Sequence, residues 1–177
     1  LGGADAVMMP GNVSSQYVSA LMMVAPYIRR GMRLGLSTEL VSRPYVEITR
    51  SVMSAFGFDD VDVSERTIHV GEGGYFGTDY TVEPDASSAS YPLAAAAVRG
   101  GAVSVKGLGH DALQGDAKFI DVLVSMGCTA TVSANDTVVM RRSDTPLRGI
   151  DIDMADISDL VPTMAVVATQ AVTPTRI

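Results

Sequence analysis

Tryptophan is absent from the 177 residues, aromatic residues of all kinds amount to 6%, and there is a single cysteine. With so few large rings, core filling falls to Val, Leu, Ile, Met and Ala, and the ten methionines suit irregular helix–sheet packing. The lone Cys128 excludes an internal disulfide and fits a reducing, cytoplasmic setting. Positive charge is in deficit: 13 Lys and Arg against 20 Asp and Glu leave a net charge of −7. That argues against nucleic acid or an anionic membrane surface as the general partner, while leaving room for a local pocket for a small anion. No apolar run reaches the roughly 18 residues of a membrane span; the longest stretches, around Ala20–Ile28 and Tyr91–Val98, are short and interrupted.

Several kinds of site are missing as well. His69 and His110 have no Cys or His at ligand spacing, which leaves no zinc motif. Asp151, Asp153, Asp156 and Asp159 form an acidic cluster, but it lacks the glycine and terminal glutamate of a calcium loop. Alternation puts Asp151 and Asp153 on one strand face, toward solvent. No Walker loop, dinucleotide glycine run or nucleophile elbow occurs. No metal site is therefore expected.

What is present is a globular composition, 47% hydrophobic and 19% charged, and an internal repeat. Ser14-Ser15 leads into an apolar helical stretch, Tyr17 to Ile28, then Arg29-Arg30-Gly31 and a strand-like Met32–Leu36. About 70 residues on, Ser87-Ser88 leads into Tyr91 to Val98, then Arg99-Gly100-Gly101 and Ala102–Val105. Pro44–Ala55 reads as an amphipathic helix closed by Phe56-Gly57, and Asp116–Ser125 as its counterpart closed by Met126-Gly127. Each glycine is followed by two short strands: Val61–Ser64 and Thr67–Val70, then Thr129–Ser133 and Thr137–Arg141 with Asn135-Asp136 at the turn. Preceding strands are expected at Ala6–Met9 and Tyr80–Val82. A third copy is expected to begin with strand Gly149–Asp153 and helix Asp159–Gln170. The unit is βαβαββ, a mixed α/β architecture in which helices bury one face on a sheet. The copies are expected to separate near residues 77–84, giving 1–78 and 79–177.

Four helix entrances carry chemistry-bearing residues. Gly11-Asn12-Val13-Ser14-Ser15-Gln16 offers two hydroxyls and an amide beside free backbone N–H groups, which attract anions. Val41-Ser42-Arg43-Pro44-Tyr45 has the same form, with Pro44 suited to the first turn, Ser42 as a cap, and Arg43 and Tyr45 available to a ligand. Glu83-Pro84-Asp85-Ala86-Ser87-Ser88 opens the second copy, where the dipole favours Asp85; Leu113-Gln114-Gly115-Asp116 opens another helix with Asp116 as its cap. Asp159 stands at the start of an apolar helix. For each of these, ordinary helix capping is an alternative reading of the residues.

Together with Asp85-Ala86-Ser87-Ser88-Ala89-Ser90-Tyr91 and Asp156-Ile157-Ser158-Asp159, these motifs, in this order and across nearly the whole chain, resemble the landmarks of the 5-enolpyruvylshikimate-3-phosphate (EPSP) synthase family. The resemblance implies the enolpyruvyl transferase fold, a two-lobed inside-out α/β barrel of repeated βαβαββ units, incomplete in this chain. Residues 1–78 would be the last unit of one lobe, and 79–177 the first unit and the start of the next in the other lobe. The implied partners are shikimate 3-phosphate, phosphoenolpyruvate and the remainder of the parent chain. The implied reaction adds the enolpyruvyl group to the 5-hydroxyl of shikimate 3-phosphate and eliminates phosphate, without metal or organic cofactor. By resemblance, Ser14, Ser15 and Ser42 hold the shikimate phosphate, Gln16 reaches both substrates, and Tyr45 contacts the shikimate side. Asp159 binds the shikimate hydroxyls and accepts the proton of the attacking hydroxyl. Arg43 stands where the family commonly has lysine. The family's early Lys-Ser and Arg motif, its basic phosphoenolpyruvate clamp and its late Asn-Asp-His-Arg and Lys–Glu–Arg segments have no match, so the chain is expected to be an internal piece that is inactive alone. Two rivals are the related transferase that acts on a UDP-amino sugar, which would carry a reactive cysteine in a mobile loop, and a non-catalytic α/β scaffold built on the same repeat.

Overall fold

The computed structural model describes residues 6–177. It comprises two compact units, Leu1–Thr81 and Val82–Ile177, each with its own apolar core.

In the first unit the order is β1 (Val7–Met9), α1 (Ser15–Val24), a short 3-10 turn (Ala25–Tyr27), β2 (Met32–Leu36), α2 (Arg43–Ala55), β3 (Val61–Val63) and β4 (Thr67–Val70). The sheet order is β1-β2-β4-β3, with β1 parallel to β2 and the other pairs antiparallel. Alternation decides which face is covered. Leu34, Leu36, Ile68 and Val70 are buried with Val18, Met22, Val46 and Met53 of the two helices, while Arg33 and Thr67 face the other way and are exposed. A hydrogen bond from Thr49 Oγ1 to Ser19 Oγ (2.8 Å) links α2 to α1 within this layer.

The second unit runs α3 (Ala86–Arg99), β5 (Gly101–Lys106), a 3-10 turn (Gly115–Lys118), α4 (Phe119–Ser125), β6 (Thr129–Val132), β7 (Asp136–Arg141), a second 3-10 segment (Ala155–Leu160) and α5 (Val161–Ala168). Its sheet is β5-β7-β6, wholly antiparallel. Phe119, Leu123, Met126, Leu160 and Met164 fill its core. Arg141 is spent on structure: its guanidinium donates to the carbonyls of Ala97, Val98 (3.0 Å) and Thr145, so a cation closes the last turn of α3.

The repeat is visible in the backbone bonds. At the end of α2, Gly57 N–H donates to Ser54 and Phe58 N–H to Met53; at the end of α4, Gly127 N–H donates to Val124 and Cys128 N–H to Leu123. Both are Schellman closures around a positive-φ glycine, and each is followed by a buried residue packing under the helix end. Cys128 is therefore the counterpart of Phe58, a small apolar plug. Burial pushes its thiol up from the ordinary cysteine value. Each hairpin also closes alike, with Ser64 N–H on Thr67 O and Ser133 N–H on Asp136 O.

Three expected elements differ. Tyr80–Val82 is not a strand: Tyr80 leans on Phe56 (centroids 5.7 Å apart) and Pro84 packs beside Gly107, so the segment is held by side chains instead of a ladder. Gly149–Asp153 contributes only a bridge, Asp151 with Arg176, beside a second bridge, Leu147 with Ala171. Both bridges are parallel, the same relation that β1 has to β2. The expected helix Asp159–Gln170 is shorter: Asp159 and Leu160 end the 3-10 segment, whose non-helical residue Ile157 (φ −130°, ψ 41°) lies just ahead of them, and α5 proper runs Val161–Ala168 with Pro162 in its first turn.

Candidate functional site

The chain crosses from β1 to α1 and from β2 to α2 at the same edge of the first sheet, because β1 and β2 are parallel neighbours. In open α/β sheets this carboxyl edge is where ligands gather. The two crossing loops are laced together. Gly11 N–H (2.9 Å) and Asn12 N–H (3.0 Å) both donate to Thr38 Oγ1, Val41 N–H donates to Gly11 O (3.1 Å), and Ser37 N–H donates to Met9 O (2.9 Å). The approach is so close that a Cβ on Gly11 would sit 2.8 Å from Glu39 O and 2.9 Å from Thr38 O, so only glycine fits without movement.

This lacing brings five of the six predicted site residues, Ser14, Ser15, Gln16, Ser42 and Tyr45, to one edge. Ser14 is the N-cap of α1 in extended geometry, its Oγ accepting from Gln16 N–H (3.2 Å). Ser15 is buried and Gln16 exposed. Ser42 precedes α2 but does not cap it: its backbone is left-handed (φ 54°, ψ 42°), its hydroxyl makes no capping bond, and its carbonyl accepts from Tyr45 N–H (3.1 Å). A non-glycine residue held there costs on the order of 1–3 kcal/mol, and such residues cluster at ligand clamps. The cap expected of Ser42 is thus replaced by a strained turn that leaves the oxygen uncommitted to the helix. Arg43 is held to its own unit, donating to Val63 O (3.3 Å) and pairing with Glu47 (3.7 Å).

Asp159 belongs to the second unit, where it is exposed within the 3-10 segment ahead of α5. Its acidic neighbours are dispersed. Asp151 pairs with Arg176, Asp156 with Lys118, and Asp153 accepts from Ala155 N–H (2.9 Å).

The equivalent entrance of the second copy has opposite electrostatics. Asp85 caps α3, accepting from Ser87 N–H (3.0 Å), Ser88 N–H (3.2 Å) and Ser88 Oγ (2.6 Å). Glu83 accepts from Leu113 N–H, and Gln114 accepts from Ala86 N–H while donating to Pro84 O (2.6 Å). Asp116, expected as a cap, is instead buried and accepts the Ser87 hydroxyl. The residue at the N-cap position is the carboxylate Asp85 in α3, whereas it is Ser14 in α1 and Ser42 in α2. Of these helix starts, the two in the first copy carry a serine hydroxyl in place of a carboxylate, the setting that favours an anion. Thr38 sits in a strand-to-helix loop where Ser and Thr bond nearby backbone; its partners, 26 and 27 residues away, have no sequence signal.

The Asp85 cap yields a pH prediction. The Ser88 hydroxyl, then the Ser88 and Ser87 amides, hold its carboxyl below the usual range. A lowered value in the fold means that the charged cap stabilises above the unfolded-state value, about 4, and that this contribution disappears as pH falls through the folded-state value. Asp85→Ala is expected to cost about 1 kcal/mol at neutral pH, with the gap to the parent chain closing on acidification below about pH 4. Paired thermal melts between pH 7 and pH 3 check this; a gap independent of pH refutes it.

The βαβαββ unit, repeated in the second half without its leading strand, and the laced strand-to-helix loops define an α/β fold of the enolpyruvyl transferase class. The fold matches the solved EPSP synthase from Acinetobacter baumannii (TM-score 0.71, 21% identity, 94% of this chain and 38% of that one) and the enolpyruvyl transferase NikO from Streptomyces tendae (TM-score 0.70, 21% identity, 94% and 42%). A family profile for EPSP synthase (3-phosphoshikimate 1-carboxyvinyltransferase) matches residues 3–177, and the chain belongs to that family. Curated relatives named 3-phosphoshikimate 1-carboxyvinyltransferase include those of Methanosphaerula palustris (44% identity over 177 residues) and Serratia proteamaculans (45%). The chain spans 41% and 40% of the length of these two relatives.

Proposed function

We propose that this chain supplies the shikimate-phosphate-gripping part of an enzyme that transfers the enolpyruvyl group of phosphoenolpyruvate to the 5-hydroxyl of shikimate 3-phosphate. Residues 1–78 form the last repeat of one lobe, and residues 79–177 the first repeat and the start of the next in the other. Ser14, Ser15 and Ser42 hold the phosphate borne by shikimate, Gln16 reaches both substrates, and Tyr45 meets the shikimate side. Asp159 binds the shikimate hydroxyls and takes the proton as the 5-hydroxyl attacks, a carboxylate's natural work as a general base. The reaction passes through a tetrahedral adduct and expels phosphate. The parent protein is cytoplasmic, where a single buried cysteine remains reduced.

The observation that carries this reading is the direct bonding of the two serine-bearing loops at one sheet edge, in a chain of this family. Hydroxyls and helix N-termini grip a phosphate, and the Asp85 carboxylate that already caps the second copy's helix supports assigning the grip to the first copy. The UDP-amino-sugar rival needs an accessible reactive thiol. Cys128 is buried beneath a helix end with its thiol pushed up, the opposite of an activated nucleophile.

Titration with shikimate 3-phosphate tests the proposal. Ser14→Ala and Ser42→Ala are each expected to weaken binding by about 1.5–3 kcal/mol, the range for a hydrogen bond to a charged group. Asp85→Ala, at the second entrance, is expected to leave affinity unchanged. Equal affinity in all three variants refutes the assignment. Without the family's cationic phosphoenolpyruvate clamp, charge developing on that substrate is unbalanced. The purified chain is therefore expected to show no transfer, and measurable product would overturn that expectation.

A further inference from the structure

Gripping one phosphate requires Ser14 and Ser42 at a fixed spacing, yet the Ser14 hydroxyl bonds within its own loop and the Ser42 hydroxyl makes no capping bond. Beside the backbone bonds Val41 N–H to Gly11 O and Ser37 N–H to Met9 O, the loops are joined by the side chain of Thr38. Its Oγ1 accepts two consecutive backbone N–H groups from the opposite loop, Gly11 at 2.9 Å and Asn12 at 3.0 Å. On one side the clamp holds the peptides that lead to the Ser14 cap; on the other it is four residues from Ser42. The same loop carries the left-handed turn at Ser42, whose strain must be balanced by bonds nearby. A hydroxyl accepting two N–H groups uses both of its lone pairs, so its removal leaves two donors without this acceptor, the Gly11 N–H in a part-buried bond and the Asn12 N–H in an exposed one.

We propose that Thr38 is a positioning residue for the phosphate grip. It acts through Ser14 and Ser42 by holding their loops in register and does not itself contact substrate. This rests on the shikimate 3-phosphate reading above. Its hydroxyl is the relevant atom: Thr38→Val keeps the shape and removes the acceptor, while Thr38→Ser keeps the acceptor and removes a methyl group.

Calorimetric titration of the full chain with shikimate 3-phosphate tests it. Thr38→Val is expected to raise Kd about tenfold, equivalent to about 1.4 kcal/mol, and Thr38→Ser is expected to restore the parent Kd. A residue that acts through Ser14 is also non-additive with it, so Thr38→Val combined with Ser14→Ala should bind no more weakly than the weaker single variant. Parent-like binding by Thr38→Val, failure of Thr38→Ser to rescue, or penalties that simply multiply would each overturn the proposal. Should the valine variant fail to fold, the parent chain alone decides the matter. Saturating shikimate 3-phosphate is expected to slow exchange of the Gly11 and Asn12 amides at least tenfold, because the ligand selects the clamped loops. Unchanged exchange at those two amides would refute the clamp while leaving the phosphate site standing. A parent chain that does not bind shikimate 3-phosphate at all removes both the site and the clamp.

Discussion

Phe119→Ala is expected to destabilise the second unit by about 3–5 kcal/mol, a large part of the 5–15 kcal/mol typical of a whole domain. Phe119 is 1% exposed and packs in the cluster that also holds Leu123, Met126, Leu160 and Met164. With no tryptophan and only 4 phenylalanines in the chain, nothing of similar volume is available to refill the space. The residue also opens α4 directly after a 3-10 turn, so the cavity would lie at a junction where the backbone is already tightly wound. Phe119→Leu keeps most of the buried surface and is expected to cost less than about 1.5 kcal/mol. Urea titration followed by far-ultraviolet circular dichroism provides the check. The midpoint for the alanine variant should fall steeply with little change in slope. An alanine variant within 1 kcal/mol of the leucine variant would show that the core collapses freely around the site.

Gly31→Ala is expected to be nearly as damaging, for a different reason. Gly31 sits between the 3-10 turn and β2 at φ +69°, following Arg30, which is itself left-handed. The left-handed region alone costs an alanine roughly 1–2 kcal/mol. Here a Cβ would also be driven into the Val70 carbonyl and the Gly71 backbone, so β2 must shift against its neighbour β4. Backbone cannot step aside as a flexible side chain does, and the total is expected to exceed about 3 kcal/mol, the range of severe single substitutions. Gly127 is the control. Its φ is +109°, but the nearest obstacle to a Cβ is Pro146 O at 3.5 Å, ordinary van der Waals contact. Gly127→Ala should therefore show conformational strain alone, about 1–2 kcal/mol. Thermal melts of the two variants separate strain from collision. Equal shifts would mean that the Gly31 turn relaxes at little cost.

The repeat, and with it the fold, was legible in the sequence because its marks are local. Apolar spacing sets a helix, a glycine after the last apolar residue ends it, and alternation sets the strands. Met32–Leu36 and Thr67–Val70 form as expected, and the Gly57 and Gly127 closures recur bond for bond. Elements that needed a distant partner were not legible. Tyr80–Val82 has strand-like residues, but no described strand pairs with it, and side-chain contacts at Tyr80 and Pro84 govern it instead. Asp116 looked like a cap and is a buried acceptor, because the helix start that supplies its hydroxyl partner lies 29 residues earlier in the chain.

By itself the sequence determined the α/β repeat, the lack of an internal disulfide, the acidic balance and the serine-bearing helix entrances, all properties of composition and short-range spacing. Only the tertiary structure decided that two of those entrances are bonded into one edge through Thr38, that Ser42 is strained and not a cap, and that the second copy's entrance is filled by its own carboxylates. The loop-to-loop bonds behind the first and third of these join residues some 26 to 30 positions apart, whose partners are set when the fold brings the loops together and not by any local preference of the chain.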